Sequence, residues 1–180
     1  KKIEILIAPP TSGTRDAWNS LVMGKGCTKT AKSLYDAAGK KAKKECAKMR
    51  EDGYAVEAGE NDTLIVQKLT SNPDAYGFFG YSYLVANKDK VKAASIEGVQ
   101  PSLEGIQDYS YPIARPLFFY VKKAHIGVVP GIEEYLKEFT SKKSMGNRGY
   151  LAKIGLVPLA SDKYKVTRTA ALDLNTINIK

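Results

Sequence analysis

Ile3-Glu4-Ile5-Leu6-Ile7, then Pro9-Pro10-Thr11-Ser12-Gly13-Thr14-Arg15-Asp16-Ala17-Trp18, is the stretch from which the fold is read. The first five residues alternate in the manner of a short strand, and Ala17, Trp18, Leu21 and Val22 have the spacing of an apolar helix face. Thr11 and Ser12 are capping residue types, and Gly13 permits a tight backbone and close ligand approach. A helix starting here points amide groups and the positive end of its dipole at whatever lies above the turn. Ser12 and Thr14 add hydroxyls, and Arg15 adds a fork of donors matched to a tetrahedral oxyanion. The strand–turn–helix therefore reads as an anion cradle. It reads equally as an ordinary helix cap beside a solvated arginine, and the local pattern leaves both readings open.

Outward from this turn, strand-like and helix-like patterns alternate, which argues for α/β layers. A lysine-coated amphipathic helix is predicted over about 29–50 from Leu34, Ala37, Ala38, Ala42, Cys46 and Met49, with Gly39 as a weak point. Tyr54–Glu57 is a short strand. Glu60-Asn61-Asp62 caps a helix carrying Leu64, Ile65, Val66 and Leu69, which Asn72-Pro73 stops. Ala75–Tyr81 reads as an aromatic strand whose glycines imply close backbone contact. Ser102–Ile106 starts another helix. Arg115–Val121 is the strongest strand pattern in the chain, a near-continuous apolar run suited to a central position. Ile132, Tyr135, Leu136 and Phe139 form a helical stripe, Gly149–Ala152 makes a further turn, and after Pro158 the pattern fades.

The chain has 180 residues, 43% hydrophobic and 26% charged, which suits one soluble globular domain with a real core or one lobe of a larger protein. No window approaches the roughly 18 apolar residues of a membrane span. It begins Lys1-Lys2-Ile3 with no initiator Met, as a processed chain or the middle of a longer protein would. Its net charge of +9 comes from 23 Lys and 5 Arg against 19 acidic residues. Lys40, Lys41, Lys43, Lys44 and Lys48 are concentrated in the long helix. Without interleaved aromatics or a groove-reading motif they read as a solvated face, and no nucleic-acid partner is expected. Cys27 and Cys46 belong to no CxxC pair, and the single His125 is remote, so no metal site is expected. The two thiols read either as one disulfide of an oxidising compartment, which is the expectation adopted, or as unrelated buried cysteines. Met23–Thr30 lacks the Gly-Lys-Ser/Thr ending of a phosphate loop and follows a helix. One His supports no Ser–His–acid set, and no enzyme is expected.

Four blocks then occur in one order. They are Pro10-Thr-Ser-Gly-Thr-Arg-Asp-Ala-Trp18, Glu57-Ala-Gly-Glu-Asn-Asp-Thr-Leu-Ile-Val-Gln-Lys68, Asn72-Pro-Asp-Ala-Tyr-Gly-Phe-Phe-Gly-Tyr-Ser82 and Tyr111-Pro-Ile-Ala-Arg-Pro-Leu-Phe-Phe-Tyr-Val121. Together they resemble the periplasmic phosphate-binding proteins of bacterial phosphate ABC transporters, the PstS family, over residues 3 to about 159. The resemblance implies two α/β lobes that close on one phosphate ion, with no catalysis and no cofactor. It implies a periplasmic solute-binding protein whose partners are inorganic phosphate and a membrane ABC permease. By the same resemblance Ser12, Gly13 and Thr14 bind phosphate oxygens. Many relatives carry an Arg four residues before the Ser, where this chain has Ala8. Arg15, directly after the Thr as in another branch, takes the cationic contact, and Asn61 is a lesser candidate that reads equally as a cap.

About the first third of a typical member has no counterpart here. Residues 3–112 correspond to the second lobe, a mixed sheet flanked by helices. Residues 113–180 correspond to the crossover strand and a C-terminal segment that returns to pack on the first lobe. That segment is expected to expose the stripe Ile132, Tyr135, Leu136, Phe139, Leu151, Ile154 and Leu156 and to self-associate through it or order poorly. The alternative is a truncated, transport-incompetent relative acting as a secreted interaction protein.

Overall fold

A computed structural model describes residues 2–177, leaving out the side chains of Leu34 and Lys43. The chain divides into two units, Lys1–Pro101 and Ser102–Lys180.

The first unit is built on a three-stranded sheet in the order β2-β1-β3, with β1 (Glu4–Ile7) central, β2 (Ala55–Glu57) on one side and β3 (Ala75–Gly77) on the other. Ile5 pairs with Ala55 and with Tyr76, and both pairings are parallel. The α/β lobe expected from the sequence is present, and its described strands are all parallel rather than mixed. Parallel neighbours need crossover connections, and these supply the helices. From β1 the chain enters α1 (Gly13–Ala17), which continues as a π-helical segment, Trp18–Gly24, and then α2 (Lys25–Thr30). Next come α3 (Lys32–Ala38), a 3-10 turn (Gly39–Lys41) and α4 (Ala42–Cys46).

The long lysine-coated helix predicted over 29–50 is thus broken. Gly39 adopts φ 53°, a left-handed backbone that an L side chain rarely accepts, and the axis turns there. Ala42 and Cys46 face inward while Lys40, Lys41, Lys44 and Lys48 are exposed, which is the solvated-face reading of that run. A disulfide joins Cys27 to Cys46 across 19 positions with the Cα atoms 5.8 Å apart, so the two thiols form the expected pair.

After β2, α5 (Asp62–Ser71) packs Ile65, with no exposed surface, against Leu6 and Ala58, and Val56, Leu69, Ala75 and Phe79 close around them. Gly77 is required at that contact, since a Cβ there would stand 2.7 Å from Ile65 Cγ2. The predicted aromatic strand is shorter than its apolar run. It ends at Gly77, and Tyr81 already opens α6 (Tyr81–Ala86).

The second unit is helical. It contains α7 (Leu103–Gln107), a 3-10 turn (Lys123–His125), α8 (Ile132–Phe139), α9 (Lys142–Met145), α10 (Tyr150–Lys153) and α11 (Ser161–Leu172). Two expectations are corrected here. Arg115–Val121 forms no strand among the described residues, and Leu117, Phe118 and Tyr120 are 70%, 71% and 68% exposed. An apolar run becomes a strand only by pairing its backbone with a neighbour, and Pro116 removes one donor. The second correction is α11, twelve residues long where the pattern was read as fading. It buries only Tyr164, so it shows no apolar stripe to find. The apolar stripe predicted for the C-terminal segment is divided: Leu136 of α8 is buried, whereas Tyr135 of α8 and Ile154, just after α10, are 58% and 76% exposed.

Candidate functional site

The three parallel strands deliver their carboxyl ends to the same edge of the sheet. In open α/β sheets ligands bind in the crevice outside that edge, where strand order reverses. Here β1 is flanked by β2 and β3, so the reversal falls at the turn after β1.

That turn is tightly built. The Ser12 amide donates to the Pro9 carbonyl at 3.0 Å, and the Asp16 amide donates to the Ser12 carbonyl at 3.1 Å. Ser12 is the N-cap in extended conformation, and its Oγ accepts the Thr14 amide at 3.2 Å. Ser12 and Thr14 are partly exposed and Gly13 is exposed, so all three line accessible surface at the mouth of the turn.

Arg15 behaves differently. It is only 8% exposed, and its Nη1 donates to the carbonyl of Ala8 at 2.9 Å. Its Nε is buried without an acceptor, and no carboxylate among the described residues forms an ion pair with it. A buried guanidinium held by one carbonyl is electrostatically incomplete, because burying a charge is costly unless it is paired and hydrogen-bonded. The guanidinium therefore sits at the carboxyl end of the central strand, within one turn of the Ser12 and Thr14 hydroxyls.

The neighbouring loops are tied to this turn. Thr11 Oγ1 donates to the Glu60 carboxylate, joining it to the loop after β2. Asn61 caps α5 by accepting the Thr63 amide at 2.9 Å, a structural use of the residue. Asp62 accepts the Gly80 amide at 3.0 Å, joining the α5 start to the loop after β3. Trp18 stacks on Phe78 of that loop, with ring centroids 4.3 Å apart and planes 6° off parallel. Trp18 Nε1 and Asn19 Oδ1 are also buried without partners, so three unsatisfied polar atoms lie within five residues of one helix. Native interiors leave few such atoms, and a cluster of them calls for an explanation. The Ala8 carbonyl has no side-chain signal, so its link to Arg15 could not be read in advance. The Thr11–Glu60 tie is likewise formed between loops distant in sequence.

A PBP superfamily domain matches residues 1–143. The chain belongs to the PBP superfamily. It is similar to the phosphate-binding protein PstS of Staphylococcus aureus strain USA300, with 32% identity over 111 residues, covering 58% of this chain and 34% of that protein. The same protein of strain MRSA252 matches with the same identity and coverage. The chain thus spans about a third of the length of these curated relatives. In fold it resembles the crystal structure of PstS from Borrelia burgdorferi, with a TM-score of 0.56 at 20% identity, covering 89% of this chain and 54% of that one. The likeness to PstS read from the four sequence blocks is thereby borne out, as is the α/β lobe. The Ser12–Arg15 turn is the candidate contact surface of the first unit.

Proposed function

We propose that this chain grips inorganic phosphate, as part of an extracytoplasmic solute-binding protein that passes the ion to a membrane ABC permease. The observation that carries the reading is Arg15: a buried guanidinium with a single carbonyl partner, an unsatisfied Nε and no carboxylate. An oxyanion above the turn would complete it, accepting from Arg15 while the Ser12 and Thr14 hydroxyls and the Gly13 amide take further oxygens. The similarity to phosphate-binding PstS proteins supports phosphate as that anion. Binding, with no chemical step, is the role.

In this reading residues 3–112 are the second lobe of a two-lobe clamp. Residues 113–180 are the crossover and returning segment, with self-association as its consequence when a first lobe is lacking. One lobe offers only part of the donor set that encloses the ion, so this chain alone binds phosphate more weakly than a complete clamp.

Trp18 is the only tryptophan, and it lies one turn beyond Arg15. Phosphate titration followed by its fluorescence should give a saturable change that Arg15→Ala weakens at least about tenfold, the effect of losing one charge-assisted contact. Equal responses in the two proteins would return the turn to an ordinary helix cap and favour the truncated interaction protein.

A further inference from the structure

The second unit carries a groove of about 470 Å³ lined by Lys142 of α9 and by Tyr164, Lys165, Arg168 and Thr169 of α11. Three of its five lining residues are cationic, and none forms an ion pair with a carboxylate among the described residues. On α11, Lys165 and Arg168 are three positions apart and share a face, and Lys142 comes from a separate helix.

One of these cations is held in place. Arg168 Nη1 donates to Thr140 Oγ1 at 3.1 Å and to the Lys137 carbonyl at 3.4 Å, both neutral acceptors. Thr140 is itself 1% exposed, donates to the Leu136 carbonyl at 2.7 Å, and accepts the Tyr164 hydroxyl on its own carbonyl at 2.8 Å. The guanidinium is therefore aligned by a buried network, and its charge stays uncompensated beside two lysines. A cleft lined by one sign of charge concentrates field and counter-ion.

We propose that this groove is an anion-binding site for a chain of linked phosphates, separate from the Ser12–Arg15 turn. The groove is open and its lysines are exposed, so one small ion there would be heavily screened. An anion presenting several charges at once engages Lys142, Lys165 and Arg168 together. The sole aromatic, Tyr164, is 9% exposed and bonded to Thr140, which leaves no platform for stacking bases. The proposal stands independently of the function proposed for the first unit.

The test is titration of the 180-residue protein with inorganic tripolyphosphate, read from the backbone amides by heteronuclear NMR. Saturable shifts are expected at Lys142, Lys165, Arg168 and Thr169. The double variant Lys142→Gln/Lys165→Gln should weaken binding about tenfold or more. Lys40→Gln/Lys44→Gln, which removes equal charge from the exposed face of the first unit, should leave it unchanged. Equal weakening by both double variants would overturn the proposal, as would shifts spread evenly over surface lysines. An oligonucleotide of matching charge that binds as tightly would show a general polyanion surface and overturn it too.

Discussion

The Arg15 guanidinium reaches back seven residues to donate to the Ala8 carbonyl at 2.9 Å, fastening the first turn of α1 to the end of the central strand. The contact gives the turn its rigidity and fixes where the positive charge lies. The backbone of Ala8 holds the arginine that Arg15 provides from the other side of the turn.

The Cys27–Cys46 disulfide closes a 19-residue separation around α2, α3 and α4. In the chain-entropy picture a loop of that size stabilises the folded state by about 3 kcal/mol, less any strain. Denaturant unfolding with and without reductant should show the reduced protein losing stability of that order, with the loss confined to signals from the first unit. Matching midpoints would mean that α2, α3 and α4 are held together by packing alone.

Two glycines should respond oppositely to alanine. At Gly77 a Cβ would meet Ile65 Cγ2 at 2.7 Å and Leu69 Cδ1 at 3.1 Å, forcing α5 away from β3. Gly77→Ala should cost about 1–3 kcal/mol. Gly26 lies inside α2 with nothing within 4 Å of its Cβ position, so Gly26→Ala should be neutral or stabilise by up to about 1 kcal/mol. Thermal unfolding of both variants checks the pair, and a tolerated Gly77→Ala would contradict the close packing of α5 on the sheet.

Three carboxylates are held below their ordinary range. Glu97 is lowered by its hydrogen bond to Lys29, Asp52 by its hydrogen bond to Arg50, and Asp108 by the Ser110 amide. In each case the unfolded chain takes up a proton at higher pH than the folded one, so folding is favoured above the unfolded pKa. That contribution disappears as pH falls through the folded value. Stability should therefore decline as the solution is acidified through and below the ordinary carboxylate range. All three groups are exposed, so each effect is small and screened. A Glu97→Gln variant with an unaltered acid limb would remove Glu97 from this set.

Much of the first unit was legible because its signals are local. Ser12, Asn61 and Ser102 are caps whose side chains accept amides two or three residues on, as their positions before apolar runs implied. Gly77 marked a close approach, and the turn after β1 marked the candidate site. What could not be read depended on distant partners. Leu117–Tyr120 has strand composition, yet a strand exists only where a neighbour pairs with it. The helix α11 lacks a stripe because it buries one tyrosine, and only the hydrogen bond from Tyr164 to Thr140 shows what that residue anchors. The concentration of unsatisfied atoms at Arg15, Trp18 and Asn19 is likewise a property of burial, which spacing alone does not reveal.

The most direct measurement of the central claim is the side-chain Nε–Hε resonance of Arg15, followed by NMR as inorganic phosphate is added to the oxidised protein. The account predicts a saturable shift of that resonance, accompanied by the Gly13 and Thr14 amides at the same phosphate concentration. An Arg15 signal that stays fixed while phosphate moves only the exposed lysine helices would contradict it.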